Sequence, residues 1–64
     1  MWEPGCLYEF WFIVDEKQRG NWFSGEFVKM DGGEWLVAFA ADNTTEAFTV
    51  KQLEKEWNEG SIRM

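Results

Sequence analysis

"WFSGEFVKMDGGEWLVAFAA", residues 22–41, carries the strongest turn signal in the chain. Asp31-Gly32-Gly33 separates two runs rich in aromatic and aliphatic residues. Glycine reaches the positive φ values that a tight hairpin needs, so the pattern reads as two antiparallel strands. A three-residue loop predicts strands over 22–30 and 34–41, with Met30 opposite Glu34, Val28 opposite Leu36 and Glu26 opposite Ala38. On the other face Lys29 meets Trp35, Phe27 meets Val37, and Gly25 meets Phe39. This second set, joined by Phe23, is the expected core face. Gly25 makes room there for the Phe39 ring or lets the strand bend.

Upstream lies "LYEFWFIV", residues 7–14, in which only Glu9 is charged. As a strand it points Tyr8, Phe10, Phe12 and Val14 one way, and Leu7, Trp11 and Ile13 the other. A strand apolar on both faces requires cover on both. The expected cover for the second row is a C-terminal helix, through Leu53 and Trp57, or the N-terminal Trp2. Pro4-Gly5 marks a turn before this strand, and 15–21 reads as an exposed loop.

Downstream, a strand is expected over 45–50. A two-residue Asp42-Asn43 turn places Phe48 and Val50 on the core face beside Val37 and Trp35, with Glu46 opposite Phe39. A three-residue turn would invert every side chain. The period then changes: Val50, Leu53 and Trp57 fall on one face of a helix over 50–59. Thr49 and Gln52 fit a capping box, Gly60 fits the position just past the helix end, and 61–64 reads as a tail. Glu54, Glu56 and Glu59 sit towards the C-terminal end, where the macrodipole disfavours negative charge.

The expected fold is α+β, mainly β: a single domain over 1–64 with a curved four-stranded antiparallel meander and a short C-terminal helix. The helix either lies across one sheet face or caps a sheet that nearly closes. Residues 21–53, "NWFSGEFVKMDGGEWLVAFAADNTTEAFTVKQL", resemble the rhythm of SH3-like and Tudor-like small barrels. Those have a strand with an aromatic start, a tight turn, a W-x-V-x-F strand and a final short helical turn. The "DYGN"-type, "ALYDY" and "PxxY" segments of those families are absent. The resemblance therefore implies a barrel-like fold rather than an activity.

Composition narrows the function. The chain has 64 residues, twelve acids against six bases and a net charge of −6. A phosphate backbone or an anionic lipid surface would be repelled, and a basic protein surface attracted. Net charge also keeps an aromatic-rich chain soluble. There is no histidine, and the single cysteine, Cys6, forms no internal disulfide. Histidine-based catalysis and zinc clusters are excluded, and a reducing, cytoplasmic setting is expected. No phosphate loop or calcium loop is present, so neither enzymatic activity nor a cofactor is expected.

Binding remains. The principal expectation is a small acidic protein that occupies a basic, nucleic-acid-binding surface of a protein partner. In size, charge and compactness the chain is similar to phage-encoded anti-CRISPR and anti-restriction inhibitors, several of which imitate DNA by presenting carboxylates in place of phosphates. The chain starts at Met and is expected to be a complete small gene product; the likeness implies action in the host cytoplasm. The candidate surface comprises Asp15, Glu16, Glu26, Asp31, Glu34, Glu54, Glu56 and Glu59, anchored by exposed aromatics such as Trp22 or Trp35. Two alternatives stand beside it. One is an SH3- or Tudor-like reader that uses Tyr8, Trp11, Trp22 and Trp35 with a nearby Glu to hold a Pro-rich segment or a methylated lysine. The other is an obligate homodimer formed through the second face of the first strand.

Overall fold

The computed structural model describes residues 2–64. Five antiparallel strands form one open sheet with a single short helix. They are β1 (Leu7–Ile13), β2 (Gly20–Asp31), β3 (Glu34–Phe39), β4 (Thr44–Thr49), α1 (Val50–Asn58) and β5 (Ile62–Arg63). The strand order is β4-β3-β2-β1-β5. The expected meander is therefore present with one strand more than foreseen. The supposed tail at 61–64 contains β5, which pairs Phe10 with Ile62 and Glu9 with Arg63.

The central hairpin keeps its inner pairs but turns differently. Asp31 faces Glu34, Met30 faces Trp35 and Lys29 faces Leu36, so the loop is the two residues Gly32 and Gly33. Both have positive φ, at 60° and 85°, as a turn matched to the right-handed strand twist requires. A bulge between Phe27 and Lys29 then adds one residue to β2 and restores Phe27↔Val37, Glu26↔Ala38 and Gly25↔Phe39. A two-residue turn plus one bulged residue gives the same inner register as the expected three-residue loop. Only the pairs beyond the bulge, Met30↔Glu34, Val28↔Leu36 and Lys29↔Trp35, are displaced.

Strand four also keeps its expected face but slides by two residues. Phe39 pairs with Thr44, so 40–43 forms the loop; Trp35 then meets Phe48, and Val37 meets Glu46. Asp42 Oδ1 accepts from the Thr44 amide and hydroxyl, and Asn43 takes a left-handed φ of 59°. The side-chain-backed turn outcompetes a tighter one.

The helix begins without a loop. Thr49 is both the last residue of β4 and the N-cap, and its hydroxyl accepts from the Gln52 amide at 3.1 Å. Gln52 Oε1 returns an acceptor to the Thr49 amide at 2.9 Å, completing the expected capping box. At the other end Gly60 has φ 82°. Its amide donates to Trp57 O, and the Ser61 amide to Glu56 O. These bonds form a Schellman turn, which delivers β5 to the free edge of β1.

Phe10, Phe27, Trp35, Val37, Phe39, Leu53 and Ile62 are buried together, with Trp2, Tyr8, Phe12, Phe23, Phe48 and Val50 packed around them. Gly25 is essential to this packing, because a β-carbon there would lie 2.8 Å from both Phe39 and Val37 and 2.9 Å from Phe10. Val14, expected in the core, lies beyond the end of β1 and is exposed. The amphipathic helix covers this same inner face through Leu53.

Candidate functional site

The second row of β1 has no such cover. Leu7, Trp11 and Ile13 are 66%, 38% and 51% exposed, which corrects the expectation that Leu53, Trp57 or Trp2 would shield them. The reason is geometric. A nine-residue helix has one apolar stripe and can cover one sheet face. Leaving β4 directly, it takes the inner face, and Trp2 follows by stacking on Phe27 at 5.0 Å.

The outer face is built around Trp11. It lies directly opposite Trp22, with ring centroids 5.3 Å apart and planes inclined by 62°. Beneath the Trp11 indole, Gly20 leaves the space that a side chain would take. Arg63 places its guanidinium 3.8 Å from the Trp22 ring centroid and donates from Nε to Glu9 Oε1 at 2.8 Å. The pairing Glu9↔Arg63 sets up this contact. Towards the other end of the sheet, a groove of about 290 Å³ runs beside Leu7, Ser24, Glu26, Ala38 and Thr45.

The expected acids divide between two sides. Glu26 faces Leu7 and Ala38 on the outer surface, and Glu34 shares that face beyond the bulge, opposite Asp31. Asp15 and Glu16 follow in the β1–β2 loop. Glu54, Glu56 and Glu59 belong to α1 and its cap, on the inner side of the sheet. They do not join one face. Asp15 is committed to its own loop: its carboxylate accepts from the Lys17 and Arg19 amides at 3.0 Å and from Arg19 Nε. The backbone and side-chain bonds from Arg19 hold its carboxyl below the ordinary carboxylate range. Trp35 is buried at 6%, so it is not the exposed anchor expected. Trp22 is half-buried and remains on the outer face.

The four rings of the expected reader do not converge either. Trp11 and Trp22 lie on the outer face, Trp35 is in the core, and Tyr8 points inward. Tyr8 instead meets two aromatics that were not grouped with it. Trp2 and Trp57 lie 5.2 and 6.0 Å from Tyr8 and 5.9 Å from each other. Their planes cross at 67–84°. These rings line a cleft of about 530 Å³ together with Glu54 and Asn58. The spacing of Glu54, Trp57 and Asn58 at i, i+3 and i+4 announces a shared helix face. Trp2 lies in a segment without periodicity, so no pattern joins it to them.

Among the described residues, no group of three or more His, Cys, Asp or Glu side chains is placed to hold a metal ion. Nor, among these residues, is any helix long and apolar enough to cross a membrane. Comparison of the chain with protein-family models, with curated proteins and with solved structures gives no match.

Proposed function

We propose that the chain is a non-enzymatic binding protein that docks the outer face of β1 on a basic, nucleic-acid-binding surface of a protein partner. The observation that carries this reading is the uncovered row Leu7, Trp11 and Ile13 beside Trp22. Exposed apolar side chains gathered on one face, here interrupted only by Glu9, favour an interaction surface, and aromatic side chains at the centre of such surfaces supply most of the binding energy. On the same face lie Glu9, which is paired with Arg63, Glu26 opposite Leu7, and Glu34 at the hairpin end. Arg19 and Arg63 are each held in an ion pair within the chain, and Lys29, opposite Leu36, is the outer-face cation without one among the described residues. Other acids, Glu26 and Glu34 included, have no ion-pair partner among the described residues. Charge complementarity therefore selects a basic partner, and a second copy carrying the same −6 charge is disfavoured.

The frame fits an SH3-like small barrel. A twelve-residue β2 interrupted by a bulge can serve both halves of a curved sheet, and β5 returns to the edge of β1. The inhibitor type, in which carboxylates stand in for phosphates, is the form of this reading in which DNA and the chain compete for one partner surface.

The test is affinity capture at low and high salt, followed by titration of the purified partner with and without duplex DNA. Salt-sensitive binding that DNA displaces supports the proposal. Salt-independent binding, or self-association of the chain in sedimentation with no other partner, overturns it.

A further inference from the structure

The cleft between the sheet and the helix lies on the side of β1 opposite Trp11, and the docking face does not involve it. We infer that it is a binding site for a guanidinium group, such as an arginine side chain presented by a peptide or protein. Three aromatic rings, Trp2, Tyr8 and Trp57, line it, and ring faces attract cations. Glu54 supplies a carboxylate and Asn58 an amide oxygen, one turn apart on the same helix face. Among the described residues, no basic side chain lines the cleft. Trp57 is 44% exposed, so its ring is accessible from solvent.

The chain contains an example of the same recognition. On the outer face the Arg63 guanidinium lies over Trp22 while its Nε donates to Glu9. One indole and one carboxylate hold an arginine there. The cleft repeats those elements, with two more rings, and contains no arginine.

The polar groups distinguish the cation. A guanidinium is planar, stacks on rings and carries five N–H donors. It satisfies Glu54 and Asn58 while lying against the aromatic wall. A trimethylated ammonium has no N–H donor and would leave both acceptors without a partner.

The experiment titrates the intact chain with three short glycine-flanked peptides that carry arginine, lysine or trimethyl-lysine at the same position. Binding is followed by the indole N–H resonances. The arginine peptide is expected to shift the Trp2 and Trp57 signals and to bind more tightly than the other two. Glu54→Gln weakens it by about tenfold, the loss of one charge-assisted hydrogen bond. Trp57→Ala abolishes it, and Trp11→Ala leaves it unchanged. Glu54 is exposed, so Glu54→Gln tests the site without disturbing the core. Absence of any shift at Trp2 and Trp57 overturns the inference. So does trimethyl-lysine binding that is tighter than arginine and indifferent to Glu54→Gln. Neither result bears on the Trp11 face, so the two proposals fail separately.

Discussion

Trp11 rests on Gly20: a β-carbon at Gly20 would lie 2.2 Å from Cζ2 and 2.3 Å from Cε2 of the indole. The absence of a side chain at one position thus fixes the largest exposed ring of the outer face. Gly20→Ala is expected to push the Trp11 ring away from the sheet and to destabilise the fold by about 1–3 kcal/mol, the usual range for overpacking. A shifted Trp11 indole resonance together with a lowered denaturation midpoint checks this. An unchanged Trp11 environment would contradict it.

Trp11→Ala separates binding from folding. The ring is substantially exposed, and the core does not depend on it. Its removal is expected to abolish capture of the basic partner at a stability cost well below that of Phe27→Ala. Phe27 is fully buried, and its truncation is expected to cost about 3–5 kcal/mol. Urea denaturation of the two variants measures the difference.

Thr49→Ala removes the hydroxyl that accepts from the Gln52 amide and breaks the capping box. The expected loss is about 1 kcal/mol. Because α1 shields the inner face, hydrogen exchange is expected to rise across 50–58 before it rises in β2. Uniform acceleration through the chain would show that the helix does not open on its own.

Acid stability depends in part on Asp15. Its folded carboxyl titrates below the ordinary value of 3.8, because the ion and hydrogen bonds from Arg19 favour the charged form. A lowered folded value means a stabilising contribution that is present above 3.8, declines as pH falls below it, and is lost as pH passes through the folded value. Asp15→Asn is therefore expected to flatten that acid limb in thermal melts and to loosen the 15–19 loop. A limb identical to that of the unaltered chain would contradict the assignment.

Local chemistry was legible in the sequence where one residue type dictated it. The place of the hairpin at Gly32-Gly33, though not its length, the Thr49–Gln52 capping box, the Gly60 helix end and the accommodation of Phe39 by Gly25 all follow from such residues. Strand faces were legible on β3 and β4, because alternation survives a shift of two residues, but past the bulge in β2 Lys29 and Met30 exchanged faces. The slip of β4 therefore changed the partner of Phe48 without changing its side. The bulge at Val28 was hidden because its extra residue cancels the shorter turn. Strand β5 escaped because two residues carry no period. The exposure of Leu7, Trp11 and Ile13 was hidden for a related reason. Periodicity says that a helix has an apolar stripe, but not which of two apolar sheet faces it covers. That choice follows from the loop-free exit at Thr49. It shifts the proposed docking surface from the acids of the helix to Leu7, Trp11 and Ile13. It also gathers Trp2, Tyr8 and Trp57 into a cleft that their sequence positions do not suggest.

The central claim is that the outer face of β1 docks on a basic protein surface. The most direct measurement is calorimetric titration of the captured partner with the unaltered chain, Trp11→Ala and Trp57→Ala, each at low and high salt. Affinity for the unaltered chain is expected to fall as salt rises, Trp11→Ala to show no binding, and Trp57→Ala to retain the partner. Equal binding by Trp11→Ala and the unaltered chain, or affinity indifferent to salt, would contradict it.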